Sequence, residues 1–180
     1  MPMRVIAGLY RHRKLNYPEN NPDIRPTKDR IREAFFSSLG DINGKTFLDL
    51  YAGSGAMGIE AISRGASKSF FVDNNTEAIK YVRENINTLK IENAEIFVMD
   101  DMVALNHFKD KNMKFDIIFL DPPYESGRYL EAIEFIYNNK LLKDNGVLAF
   151  ESKHKISLNP LWFNKCKEYH YGEITVTVLR

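Results

Sequence analysis

The sequence predicts an α/β fold, a seven-stranded and mostly parallel sheet with helices on both faces, closed by an antiparallel C-terminal hairpin. Three observations carry this prediction. Between residues 46 and 151, short apolar runs alternate with stretches of helical periodicity. The first of these runs breaks into a glycine-rich turn and restarts as a helix, the local pattern of a nucleotide-type site. Near the C-terminus, residues 165–171 and 173–179 are both strand-like and only Gly172 separates them. A parallel crossover needs a dozen or more residues, so these two strands must pair antiparallel.

Taken in order, residues 3–9 are a short strand candidate that residues 10–15 continue with basic side chains. Residues 17–26 carry Pro18, Pro22 and Pro26 and read as a loop. Thr27 is placed to cap a helix in which Ile31, Ala34, Phe35 and Leu39 share one face, with Gly40 as its stop. Lys28, Arg30 and Arg32 fall on the other side of that helix, where they would face a polyanion. Strands follow at 46–51, 69–72, 94–99, 115–120 and 146–151, separated by helices at 56–64, 76–90, 103–108 and 129–139. The chain thus divides into a small basic N-terminal arm and loop, residues 1–26, and an α/β domain, residues 27–180. Trp162 and Phe163 are expected to pack the final strands, and Cys166 to be a small core residue.

Composition narrows the function classes. With 44% hydrophobic residues in 180, one globular domain can build its own core. No apolar run approaches the roughly 18 residues of a membrane span, and M-P-M-R-V-I-A-G is too short and polar for a signal peptide. A single cysteine allows no internal disulfide, and His12, His107, His154 and His170 have no metal-ligand spacing. A cytoplasmic protein without a metal is expected. Residues 1–32 hold eight basic side chains against three acidic ones, a net of +5, whereas the rest of the chain is mildly acidic. A basic arm on an acidic body is the asymmetry expected where an arm meets phosphate.

Two motifs carry the chemistry. Gly53, Gly55 and Gly58 satisfy G-x-G-x-x-G, which alone would admit a nicotinamide-dinucleotide oxidoreductase. The terminal hairpin opposes that reading, because a dinucleotide-binding sheet normally finishes with parallel strands. Polar residues collect after the strand C-termini, at Asp73, Asp101 and Asp121, where ligands sit in parallel sheets. Asp121-Pro122-Pro123-Tyr124 follows an apolar strand directly. Two prolines stiffen the exit and give up two N–H donors, which leaves carbonyls and a carboxylate as acceptors beside an aromatic ring. Acceptors without donors suit an exocyclic amine, whose lone pair they aim at a methyl donor while Tyr124 stacks on the base.

The pair F-L-D-L-Y-A-G-S-G and D-P-P-Y resembles amino-directed class I methyltransferases, whose Rossmann-like sheet ends in such a hairpin. V-I-A-G-L-Y-R-H-R-K-L, R-P-T-K-D-R-I-R-E-A-F-F and G-A-M-G-I-E-A-I-S-R-G-A resemble the RsmD family, bacterial 16S rRNA guanine-N2 methyltransferases of guanine 966, over nearly the whole chain. The resemblance implies methyl transfer from S-adenosyl-L-methionine to a guanine 2-amino group in the small ribosomal subunit or an assembly intermediate. It implies that Ala52, Gly53, Ser54 and Gly55 wrap the methionine part of the cofactor and that Asp49 orients its ammonium. Asp73, with Asn74 beside it, would take the ribose hydroxyls, and Asp100 or Asp101 the adenine amine. Asp121 and the Pro122 carbonyl would hold the target amine, with Tyr124 stacked on the guanine. Arg11, Arg13 and Lys14, then Arg25 and Arg30, would contact RNA phosphate. A monomer is the default expectation. An adenine-N6 or other amino-directed nucleic-acid methyltransferase is the nearest alternative, and a non-catalytic RNA-binding assembly factor is another.

Overall fold

The computed structural model describes residues 3–18, 29–123 and 127–180. Five strands alternate with helices, as α1 (Asp29–Leu39), β1 (Thr46–Leu50), α2 (Ala56–Ser63), β2 (Lys68–Asp73), α3 (Thr76–Leu89), β3 (Ala94–Val98), α4 (Asp101–Asp110), β4 (Phe115–Leu120), α5 (Arg128–Asn138) and β5 (Leu142–Ser152). Two antiparallel strands, β6 (Cys166–Tyr171) and β7 (Ile174–Leu179), end the chain. The sheet order is β3-β2-β1-β4-β5-β7-β6. The chain winds outward from β1 to β3 and then crosses back to place β4 on the other side of β1. That reversal opens a crevice at the carboxyl ends of β1 and β4, the usual ligand site of an open parallel sheet.

Apolar residues on both faces of the strands require a layer of helix on each side. Leu48 and Leu50 pack with Phe108 of α4 and with Ile133 and Ile136 of α5. On the opposite face Phe47, Ile117 and Phe119 meet Phe35 and Phe36 of α1. Phe71 closes against Ile59 of α2 and Val82 of α3. Asn75 caps α3, its side chain accepting the Glu77 and Ala78 N–H groups at 2.9 and 3.2 Å.

The N-terminal segment departs from the expected single strand by folding back on itself. His12 N–H donates to the Val5 carbonyl and Val5 N–H to the Arg13 carbonyl, both at 2.9 Å, with one antiparallel bridge between Arg4 and Lys14. The resulting loop lies along α2. Glu60, fully buried, accepts the Ile6 and Ala7 N–H groups at 2.8 and 3.0 Å. Leu9 N–H donates to the Ser63 carbonyl at 2.7 Å, and Tyr10 N–H to Ser63 Oγ at 2.9 Å. Gly8, at φ +82°, makes this seat possible, since a Cβ there would stand 1.7 Å from the Ser63 carbonyl oxygen.

Arg32 departs from expectation too. It faces the interior, not a polyanion, and is fully buried, with Nη2 donating to the Arg4 carbonyl at 2.5 Å and to Asp29 at 3.0 Å. Glu60 lies 3.8 Å from its Nε, so a buried carboxylate and a buried guanidinium offset one another beneath the N-terminal loop. Cys166 is exposed because β6 is the edge strand of the sheet. Trp162 and Phe163 lie against Tyr137 of α5, with ring centroids 6.2 and 5.7 Å away, in the cluster that also holds Leu179.

Candidate active site

The glycine turn is bound to the sheet by its own backbone. Tyr51 and Ala52 both donate N–H to the Val72 carbonyl at 2.9 Å, and Tyr51 holds φ at +76° to do so. A non-glycine residue in this region is strained, a cost that clusters at functional sites. Gly53 N–H donates to Asp73 Oδ2 at 2.8 Å, while Asp73 Oδ1 accepts the Asn75 N–H at 2.9 Å. Asp73 therefore ties the turn to the end of β2, and the capping of α3 falls to Asn75. Asn74, between them, is exposed. Ala52 and Ser54 are buried. Gly58 N–H donates to Asp49 Oδ2 at 2.9 Å, and Phe71 packs so closely that a Cβ on Gly58 would lie 2.3 Å from its ring.

Three carboxylates meet at the crevice. Leu50 pairs with Leu120 and Leu120 with Phe150, so Asp121 and Glu151, one residue further on, emerge side by side next to the β1 exit. Burial pushes Asp49 up to about 8, with Asp73 adding to the rise and the Gly58 N–H opposing it. Burial raises Asp121 well above the usual carboxylate range, and the charges of Glu151 and Asp49 raise it further. Such a cluster favours either a proton or a cation. Tyr129 Oη donates to the Glu151 carbonyl at 2.7 Å and lies 3.3 Å from the Pro122 carbonyl, so α5 holds both exits in place.

At the next exit, Asp100 caps α4 and Asp101 begins it. Arg128 Nη1 donates to Asp100 at 3.0 and 3.2 Å and to Asp101 at 2.5 Å, and Tyr51 Oη donates to the other Asp101 oxygen. The hydrogen bond shared with Asp101, then Arg128 and the Met102 N–H, hold Asp100 below the usual carboxylate range, whereas burial pushes Asp101 up. Tyr51, Asp100, Asp101 and Arg128 thus join the exits of β1 and β3 to the start of α5.

The family model described as conserved hypothetical protein 95 matches residues 3–180 of this chain. The chain belongs to that family, the RsmD family. Among its relatives, the ribosomal RNA small subunit methyltransferase D of Haemophilus influenzae is 34% identical over 177 residues, which cover 96% of this chain and 91% of that protein. Its namesake in Escherichia coli strain K12 is 35% identical over 152 residues, covering 84% of this chain and 75% of that protein. The solved structure of the Escherichia coli yhhF protein superposes with a TM-score of 0.83 at 30% identity, over 99% of this chain and 97% of that one.

In this RsmD-family chain, Arg11, Arg13 and Lys14 are all exposed on the N-terminal loop and Arg30 is exposed on α1. Arg25 and Tyr124 lie outside the described residues. The sheet edge brings together Asp49, Gly53, Asp73, Asp121 and Pro122, while Arg11, Arg13 and Lys14 stand apart on the loop that lies along α2 and Arg30 on α1. Sequence reasoning missed Tyr51, Arg128, Tyr129 and Glu151. Glu151 had a signal, since it ends an apolar strand as Asp121 does. The pairing of Arg128 with residues 28 and 27 positions before it had none. Among the described residues, no helix is long and apolar enough to cross a membrane, and no three His, Cys, Asp or Glu side chains gather as metal ligands.

Proposed function

We propose that this protein transfers a methyl group from S-adenosyl-L-methionine to the exocyclic N2 amine of a guanine in 16S rRNA, the guanine at the 966-type position. The observation that carries this reading is the crevice itself, where D-P-P leaves β4 between two buried carboxylates, Asp49 and Glu151, and beside a glycine turn. The residues fit the cofactor. Asp49 and Asp121 are both pushed up by burial, and each gains from a cation, which the cofactor has in its ammonium and sulfonium groups. Ala52 to Gly55 would enclose its methionine end, with Asp49 toward the ammonium. Asp73 would receive the ribose hydroxyls, with Asn74 beside it, and the Asp100–Asp101 pair the adenine amine. When bound, the cofactor supplies a methyl group on a positively charged sulfur, activated for in-line displacement without an acid for the leaving thioether.

The chain's own residues do the rest by position. Asp121 and the Pro122 carbonyl accept the two amine hydrogens, which turns the nitrogen lone pair toward the methyl donor. Tyr124 is assigned to stack on the flipped guanine. After transfer the nitrogen must shed one proton, and Asp121, made more basic by burial and then by the charges of Glu151 and Asp49, is assigned to take it. Arg11, Arg13, Lys14, Arg25 and Arg30 are assigned to RNA phosphate. The chain acts as a cytoplasmic monomer on the small subunit or an assembly intermediate.

The test is a methylation assay with labelled S-adenosyl-L-methionine on small subunits that lack the modification, followed by mapping of the labelled nucleotide. Wild type should label one guanine on N2, and Asp121→Ala should lose at least about a hundredfold in rate. Label on adenine would retain the methyl transfer and overturn the guanine assignment. Cofactor binding with no label on any subunit preparation would favour a binding factor.

A further inference from the structure

Asn85 lies on α3, is 2% exposed, and spends its whole amide on segments outside its own helix. Its Oδ1 accepts the Asn16 N–H at 2.7 Å, and its Nδ2 donates to the Asn16 carbonyl at 2.9 Å. One side chain therefore satisfies both backbone polar groups of Asn16, as a neighbouring strand would. Nδ2 also donates to the carbonyl of Ser54, in the middle of the glycine turn, at 3.2 Å. These partners fix the amide orientation, since one donor and two acceptors surround it. Around this joint, Met3 and Leu15 share an apolar cluster with Ala52 and Ala56, and Ser54 Oγ lies 3.8 Å from Met3 Sδ.

The glycine turn is thus held from two sides. On its inner side β2 and Asp73 take its N–H groups; on its outer side Asn85 takes its carbonyl. We propose that Asn85 is a positioning residue for the cofactor turn, fixing the Ser54 carbonyl against the N-terminal segment so that residues 3–17 brace the cofactor site. The inference rests on the reading of the glycine turn as the S-adenosyl-L-methionine site. Asn85 acts through Ser54 and not by contact with the reacting atoms, so its loss is felt in cofactor affinity and not in the chemical step.

The experiment uses the full chain and S-adenosylhomocysteine as the probe, with binding measured by calorimetry and turnover at saturating cofactor. Asn85→Leu removes all three hydrogen bonds. Asn85→Asp keeps the acceptor for Asn16 N–H and the side-chain shape, but loses the Nδ2 donor to both the Ser54 and Asn16 carbonyls, and it serves if the leucine variant fails to fold. Loss of a buried hydrogen bond at the turn should raise the dissociation constant, and KM for S-adenosyl-L-methionine, about tenfold. At saturating cofactor, kcat should stay within about threefold of wild type. A purely structural role would lower the melting temperature and leave the dissociation constant within about twofold, and that result would overturn the inference. A wild-type protein that failed to bind S-adenosylhomocysteine would sink the cofactor reading itself, and this inference with it.

Discussion

At the scale of single residues, the proposed function divides the work of the crevice between Asp49 and Asp121. Asp49, pushed up to about 8, keeps its proton through the neutral range while the unfolded chain has released it. A folded state that binds the extra proton loses stability as pH rises from about 4 to about 8. Asp49→Asn should therefore leave the melting temperature near that of wild type at pH 4 and raise it at pH 8.5. A cation at the site favours the charged form, so S-adenosylhomocysteine binding near pH 7 should release protons. Calorimetry in buffers of different ionisation enthalpy would read that release, and Asn in place of Asp49 should reduce it by up to one proton. Equal release by both proteins would remove Asp49 from the ammonium site. Asp121→Asn probes the other half of the division. It should lower kcat at least about a hundredfold and change S-adenosylhomocysteine affinity by less than about threefold, because Asp121 is assigned to the target amine. A proportionate loss of cofactor binding would move Asp121 to the cofactor's side of the crevice.

At the scale of elements, Gly58 shows how a motif position becomes packing. The third glycine of G-x-G-x-x-G sits on the first turn of α2, where Phe71 leaves no room for a methyl group and the N–H holds Asp49. Gly58→Ala should cost about 1–3 kcal/mol in urea denaturation, as overpacking does, and weaken S-adenosylhomocysteine binding as the helix retreats from Asp49. Unchanged stability would mean that α2 can shift off β2 freely. The sheet was legible for the same local reason. Alternating apolar runs and helical stripes specify β4 to the residue and α3 to within one residue at its C-terminal end, because local patterning and tertiary packing agree there. The N-terminal loop was not legible. Its backbone groups are satisfied by Glu60 and Ser63, more than fifty positions away, and no pattern within residues 3–15 encodes those partners. Arg32 was misplaced for the same reason, since its charge reads as surface until the buried Glu60 is known. Asp73, Asp101 and Asp121 were visible as strand ends and Glu151 was not singled out, while the Tyr51, Arg128 and Tyr129 contacts arise only when three loops converge.

At the scale of the whole molecule, the residues proposed for RNA binding and those proposed for chemistry occupy different places. The N-terminal loop runs the length of α2, from Asn16 at the glycine turn to Leu9 and Tyr10 beside Ser63. An eight-residue helix is about 12 Å long, so the exposed basic side chains extend well away from Asp121. They can hold RNA phosphate only if the nucleic acid lies across that face while one base reaches the crevice. Their contribution should then be electrostatic, independent of base identity, and separable from catalysis. Each phosphate contact to a single strand contributes about −0.7 to the slope of log affinity against log salt. Changing Arg11, Arg13 and Lys14 together to Ala should flatten that slope by about 2. The same variant should raise KM for RNA at physiological salt and leave kcat at saturating RNA near that of wild type. Its S-adenosylhomocysteine affinity should also be unchanged, because these side chains point to solvent while the loop's backbone and apolar residues keep their seat on α2. An unaltered slope would place the RNA on another face. A fall in cofactor affinity would mean that the loop had left its seat, in which case the charges serve the fold as well as the ligand.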